Sequence, residues 1–160
     1  MTSTSNLLRI IHFDQIQFEV EQEVRRVLEP CKVVDYLVAK DRYSNNAEEV
    51  IQHLDEEFLS QFPEFLDRIV IESSAIPDDY PRLIRKKDYR IKGEIWTVHK
   101  NDIDPFPSIP HAHNYDQNLT MHLGNGNLFR KRQLVGAAKR KVFLQLRALI
   151  SNVELPLLEI

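Results

Sequence analysis

Leu119-Thr120-Met121-His122-Leu123-Gly124-Asn125-Gly126-Asn127-Leu128-Phe129-Arg130-Lys131-Arg132-Gln133-Leu134 is the stretch that decides the fold class. Its centre, Gly124-Asn125-Gly126-Asn127, is the strongest hairpin turn in the chain, because Gly and Asn accept the positive φ that tight turns require. The arms, residues 119–123 and 128–134, therefore read as antiparallel strands. In the first arm Leu119, Met121 and Leu123 alternate with Thr120 and His122, so one face is apolar and the histidine points away from it. Residues 91–100 alternate too, with Ile95, Thr97 and His99 on one side and Trp96, Val98 and Lys100 on the other. Between these strands lies Asn-Asp-Ile-Asp-Pro-Phe-Pro-Ser-Ile-Pro, residues 101–110, whose prolines forbid regular structure and give a stiff loop.

Outward from the hairpin, residues 137–150 carry a helical stripe of Val142, Phe143, Leu146, Leu149 and Ile150. Near the N-terminus, Phe13, Ile16, Val20, Val24, Val27 and Leu28 give a helix over 14–28, ended by Pro30. Residues 32–39 (Lys-Val-Val-Asp-Tyr-Leu-Val-Ala) are rich in β-branched residues and read as a strand. Asn45 and Glu48 resemble a capping box opening a second helix, striped by Val50, Ile51, Leu54, Phe58, Leu59 and Phe62. Residues 67–72 suit a strand, and 76–81 a loop. The expectation is one α+β domain over 1–160: an antiparallel sheet of four to six strands with N-terminal helices and a C-terminal helix packed on it.

With 160 residues, 42% of them apolar, the chain is long enough for one core and too apolar for disorder. No apolar run approaches the roughly 20 residues of a membrane span, and no signal-peptide pattern opens the chain. A lone Cys31 excludes an internal disulfide and reads as a core thiol before an apolar strand. A cytoplasmic protein with no membrane partner is expected. Charge divides by halves: residues 1–80 hold 7 Lys/Arg against 17 Asp/Glu, and residues 81–160 hold 14 against 7. Lys86, Lys87, Arg90, Arg130, Arg132, Lys139 and Arg140 in the basic half suit RNA or another polyanion, through phosphate contacts and counterion release. The acidic half suits a basic partner or accessory protein. The alternative is that the basic runs are solvated faces neutralised by the same molecule's acids.

Four of the six histidines fall between residues 96 and 123: His99, His111, His113 and His122. On an extended segment His111 and His113 point to one face, joined by Tyr115. Three readings follow. A metal-independent ribonuclease needs a general base, a general acid and cations at the phosphate; His111, His113, His99, Lys100, Tyr115 and Arg130 or Arg132 offer those types, with no cofactor. A metal-dependent hydrolase would use the His-x-His pair with a third ligand from His99, His122, Asp102, Asp104 or Asp116, and His122 is the one expected. The third reading is a rigid turn whose rings bond the backbone. The first is preferred. Carboxylates in loops, Asp102 and Asp104 among them, otherwise read as solvated surface.

The stretch Gly93-Glu94-Ile95-Trp96-Thr97-Val98-His99-Lys100-Asn101, through Pro107 to Pro110-His111-Ala112-His113-Asn114, resembles small bacterial toxin–antitoxin proteins of the TumE type. Those toxins share the aromatic strand, the Pro-rich loop and a Pro-His-x-x-His-like element, here in His-x-His form. The order of helices before an antiparallel sheet is similar to the RelE/barnase-like ribonuclease class. The resemblance, over about a third of the chain, implies a toxin-like endoribonuclease with an antitoxin partner. In histidine-triad hydrolases a third histidine would stand where this chain has Asn114-Tyr115.

Overall fold

The computed structural model describes residues 4–83 and 93–160. The chain divides into two compact units, Met1–Glu64 and Phe65–Ile160, each with its own hydrophobic core. The sequence reads as one domain over residues 1–160; in the structure the apolar stripes of the first 64 residues gather into a core of their own.

In the first unit, α1 (Thr4–Val24), α2 (Pro30–Ala39), α3 (Ala47–His53) and α4 (Glu56–Leu59) enclose Phe13, Val20, Val33, Val34, Leu37 and Val50, all fully buried. The strand expected over 32–39 is a helix. Its buried residues Val33, Val34 and Leu37 recur at helical spacing, and Pro30 occupies the first turn, where its missing N–H costs nothing. Tertiary burial outweighs the β-branched composition. Pro30 thus opens α2, while α1 ends before Arg25, which takes φ 54°. The cap of α3 lies one residue beyond the expected pair: the Asn46 side chain accepts the Glu49 N–H at 3.1 Å. The second expected helix breaks in two because the Asp55 carboxylate caps a new start, accepting the Phe58 N–H at 2.8 Å. Cys31 is exposed rather than a core thiol.

The second unit is a six-stranded antiparallel meander, β1 (Phe65–Ile71), β2 (Glu94–His99), β3 (His111–Asn114), β4 (Leu119–His122), β5 (Asn127–Arg130) and β6 (Gln133–Ala137), in that order across the sheet. The α+β fold class is as read from sequence. One sheet face carries Ile69, Trp96, Val98, Ala112, Met121 and Leu128, and α5 (Arg140–Leu149) covers it with Val142, Phe143 and Leu146. Leu149, expected in that stripe, is exposed. The 124–127 turn forms as read, with Gly126 at φ 77°. The arm 128–134 is not one strand: Lys131 and Arg132 take φ 48° and 65° and make a second tight turn. Asp67, 8% exposed, accepts from Ser151 N, Asn152 N and Asn152 Nδ2 and so fastens the chain after α5.

Candidate functional site

Antiparallel registry sets which side chains share the sheet's second face. Thr97 stands opposite His113, His113 opposite Thr120, and His111 opposite His122. Directly paired residues point the same way, so Thr97, His99, His111, His113, Thr120 and His122 share the face away from α5. This face is polar yet partly buried, with Thr97 fully buried and His111 3% exposed. The Pro-rich loop returns over it. Phe106 packs edge-on against Phe129 at 4.8 Å, and Arg132 lies 5.0 Å above the Phe106 ring while gripping both Asp104 oxygens at 2.7 and 2.8 Å. Ser108 Oγ donates to the Pro110 carbonyl and accepts the Leu123 N–H.

The returning loop carries Asp102 to the histidine pair. Asp102 Oδ2 lies 2.8 Å from His111 Nε2 and 2.8 Å from His113 Nε2. His111 Nδ1 is 2.8 Å from the Ser108 carbonyl. A carbonyl only accepts, so the Nδ1 position carries the hydrogen and Nε2 is the atom presented to Asp102. In the neutral ring that Nε2 is a lone pair facing a carboxylate. The arrangement is favourable only with a proton on Nε2 or with a cation between the groups. Asp102, His111 and His113 each offer a ligand atom, and these atoms lie within 4.8 Å of one another. Tetrahedral ligands about 2.0–2.1 Å from zinc stand roughly 3.3 Å apart, so admitting an ion needs an opening of about half an ångström.

Burial pushes the His113 imidazole below its usual value, and the His111 charge adds to this; the hydrogen bond to Asp102 opposes them without prevailing. Burial raises the Asp102 carboxyl, but the His113 hydrogen bond and the charges of both histidines outweigh it, leaving the group lower than an ordinary aspartate. Both shifts favour the forms a metal needs, neutral imidazole and ionised carboxylate. Beside this triad the rings continue: His113 meets His99 edge-on at 5.0 Å and stacks on Tyr115 at 5.6 Å, and His99 Nε2 is hydrogen-bonded to the Tyr115 hydroxyl. A cleft of about 540 Å3 adjoins the group, lined by His99, Lys100, Asp102 and His111 together with residues 153–156.

The structure thus brings together His99, His111, His113 and Tyr115, with Lys100 on the same cleft. His122, the expected third ligand, is elsewhere engaged: its Nδ1 accepts the Gly124 N–H at 2.9 Å, and the residue whose ligand atom lies with those of His111 and His113 is Asp102. The basic set does not assemble as one phosphate track among the described residues. Arg130 donates to the Gln117 carbonyl and lies over Tyr80, Arg132 is held by Asp104, and Lys139 pairs with Asp78 at 2.7 Å. Arg140 is exposed at the start of α5, and Lys86, Lys87 and Arg90 lie outside the described residues. Sequence reasoning named Asp102 only as one of five possible ligands and missed Ser108. The available signal was the Asp-x-Asp-Pro turn, where Asp102 and Asp104 each accept a backbone N–H two residues on. No protein-family model, curated protein or solved structure matches the chain.

Proposed function

We propose that the second unit is a metal-dependent hydrolase of phosphodiesters, with Asp102, His111 and His113 holding one divalent transition-metal ion such as zinc. The observation that carries this reading is the convergence of two imidazole Nε2 atoms on one carboxylate oxygen, each at 2.8 Å, with His111 oriented from behind by the Ser108 carbonyl. A ring nitrogen bonded to a backbone carbonyl while the other faces the ligand position is the usual support of a metal-binding histidine. Two histidines and one carboxylate leave open positions for water and substrate. The bound ion would polarise a phosphoryl oxygen and make water a competent nucleophile near neutral pH.

The same convergence argues against the metal-free histidine pair preferred from sequence. A general base and a general acid for phosphoryl transfer stand on opposite sides of the phosphorus, one at the attacking and one at the leaving oxygen. His111 and His113 both turn Nε2 to the same Asp102 oxygen, each at 2.8 Å, with their rings 4.7 Å apart. They do not flank a substrate. Lys100, on the cleft lining, supplies positive charge for the phosphoryl oxygens, while the His99–Tyr115 pair borders His113 and orients a phenol beside the centre. RNA is the polymer this proposal assigns, in keeping with the net positive second half of the sequence.

Elemental analysis of untagged protein, with hydrolysis of RNA and of bis(p-nitrophenyl) phosphate measured in zinc, manganese or chelator, tests the proposal. About one metal ion per chain and chelator-sensitive hydrolysis, both lost in Asp102→Ala and His113→Ala, are expected. Chelator-resistant RNA cleavage leaving 2′,3′-cyclic phosphate ends would return the site to metal-free acid–base chemistry. A chain that binds no metal would end the proposal.

A further inference from the structure

The cleft that Asp102 and His111 line is also lined by an irregular segment, residues 153–156, which the fold fixes at two points. After α5, Ser151 N, Asn152 N and Asn152 Nδ2 donate to the buried Asp67 carboxylate at 3.3, 3.0 and 2.8 Å. Four residues on, the Arg147 guanidinium donates to the Pro156 carbonyl at 2.5 Å and also bonds the Leu123 carbonyl, tying α5, the hairpin and this segment together. Between the anchors lie Val153, Glu154 and Leu155, all on the cleft lining with His99, Asp102 and His111. Loops gain fixed geometry at a functional site when neighbouring backbone groups are bonded on both sides.

The cleft's ionisable residues are His99, Lys100, Asp102, Asp104, His111 and Glu154. Two of the three carboxylates are committed. Asp102 is shared by the imidazoles, and Asp104 is clamped by Arg132 and bonded to the Phe106 N–H. Among the described residues, Glu154 is the one cleft carboxylate that meets neither an imidazole nor a guanidinium. A hydrolytic centre needs a proton acceptor for its water within reach of, but distinct from, the metal ligands.

Resting on the metal-dependent hydrolase reading, we infer that Glu154, presented by the doubly anchored segment 151–156, is the general base for the attacking water. In that step a water O–H bond breaks and its proton goes to a Glu154 carboxylate oxygen. The water oxygen forms a bond to phosphorus, the bond from phosphorus to the leaving oxygen breaks, and that oxygen takes up a proton from solvent. The products are a phosphomonoester and an alcohol, and Glu154 is restored by proton loss to solvent. Asp67 and Arg147 are positioning residues.

Cobalt(II)-loaded protein separates this role from metal binding. Glu154→Gln is expected to keep one cobalt per chain and to lower kcat on bis(p-nitrophenyl) phosphate by about 10²-fold or more, with Glu154→Asp recovering part of the rate. Removing the nearby negative charge also shifts the pH midpoint of the cobalt visible spectrum downward, a readout that needs no turnover. Asp67→Ala, which frees the segment, is expected to lower kcat with cobalt stoichiometry unchanged. A wild-type rate and wild-type spectral midpoint in Glu154→Gln overturn the inference. Loss of cobalt in that variant also overturns it, by making Glu154 a ligand. Failure of the wild-type protein to bind cobalt or to hydrolyse the diester refutes the hydrolase reading itself, and the inference with it.

Discussion

Adding zinc is expected to raise the melting temperature of the second unit, and the size of the rise follows from how completely the ligands are assembled. The triad atoms already lie within 4.8 Å of one another, and His111 is fixed by the Ser108 carbonyl. Little ordering is therefore charged against binding. Free zinc at 100 times its dissociation constant stabilises the folded form by about 2.7 kcal/mol through mass action. For a unit of roughly 100 residues, each kcal/mol moves the midpoint by about 4–8 °C, so the expected rise is on the order of 10–20 °C. Differential scanning calorimetry at several zinc concentrations measures it. With two separate cores, only the transition belonging to residues 65–160 is expected to move. Asp102→Asn and His113→Ala abolish the shift, whereas His122→Ala retains it, because the His122 ring serves the Gly124 turn instead. An unchanged midpoint in excess zinc refutes the reasoning; so does a shift that survives Asp102→Asn but vanishes in His122→Ala.

The depressed His113 imidazole makes the unfolded chain the stronger proton binder between the ordinary value of 6.5 and the lower folded value. Stability from this group is present above 6.5 and is lost as pH falls through the folded value, and the lowered Asp102 carboxyl adds a second loss below 3.8. Urea unfolding of metal-free protein across pH 3 to 8 tests the sign; His113→Ala should remove the upper window and weaken the lower one, because its hydrogen bond helps hold the Asp102 carboxyl down, and stability rising on acidification through the upper window would contradict the assignment. Gly126→Ala is expected to destabilise the second unit by about 1–3 kcal/mol, since a left-handed non-Gly residue is strained and its Cβ would stand 3.1 Å from Phe143 Cγ. Chemical denaturation reads that difference directly, and a loss below about 0.5 kcal/mol would show that the turn relaxes.

Local chemistry explains which elements were legible in the sequence. The 124–127 turn combines two glycines with asparagines, and the strands beside it alternate, so pairing and facing follow from period and turn chemistry alone. Helix α2 was illegible as a helix because its run of β-branched residues reflects strand preference, while the deciding fact, burial of Val33, Val34 and Leu37 in the core that α2 forms with α1, is tertiary. The turn at Lys131-Arg132 was illegible because neither residue advertises positive φ; only pairing of Arg130 with Gln133 across it forces that conformation. Basic side chains give the reverse case. Sequence showed the charges, but not that Asp104 and Asp78 neutralise Arg132 and Lys139 from 28 and 61 residues away.

The candidate site was half legible for a related reason. His111 and His113 belong together wherever 111–114 is extended, since the period of two puts them on one face. Asp102 joins them only after the loop has crossed the sheet, and nothing in the spacing of residues 102 and 111 announces that return. Once the return is made, register becomes part of the chemistry. A one-residue slip of β3 against β4 would turn Ala112 outward and drive His111 and His113 into the face that holds Trp96, Val98 and Met121. Burying two imidazoles there without partners would cost several kcal/mol. The register placing both rings under Asp102 is thus the one in which the apolar face stays apolar. The bond from the Leu123 N–H to Ser108 Oγ joins the end of that hairpin arm to the residue whose carbonyl orients His111, so hairpin alignment and ring orientation are set by the same contact chain.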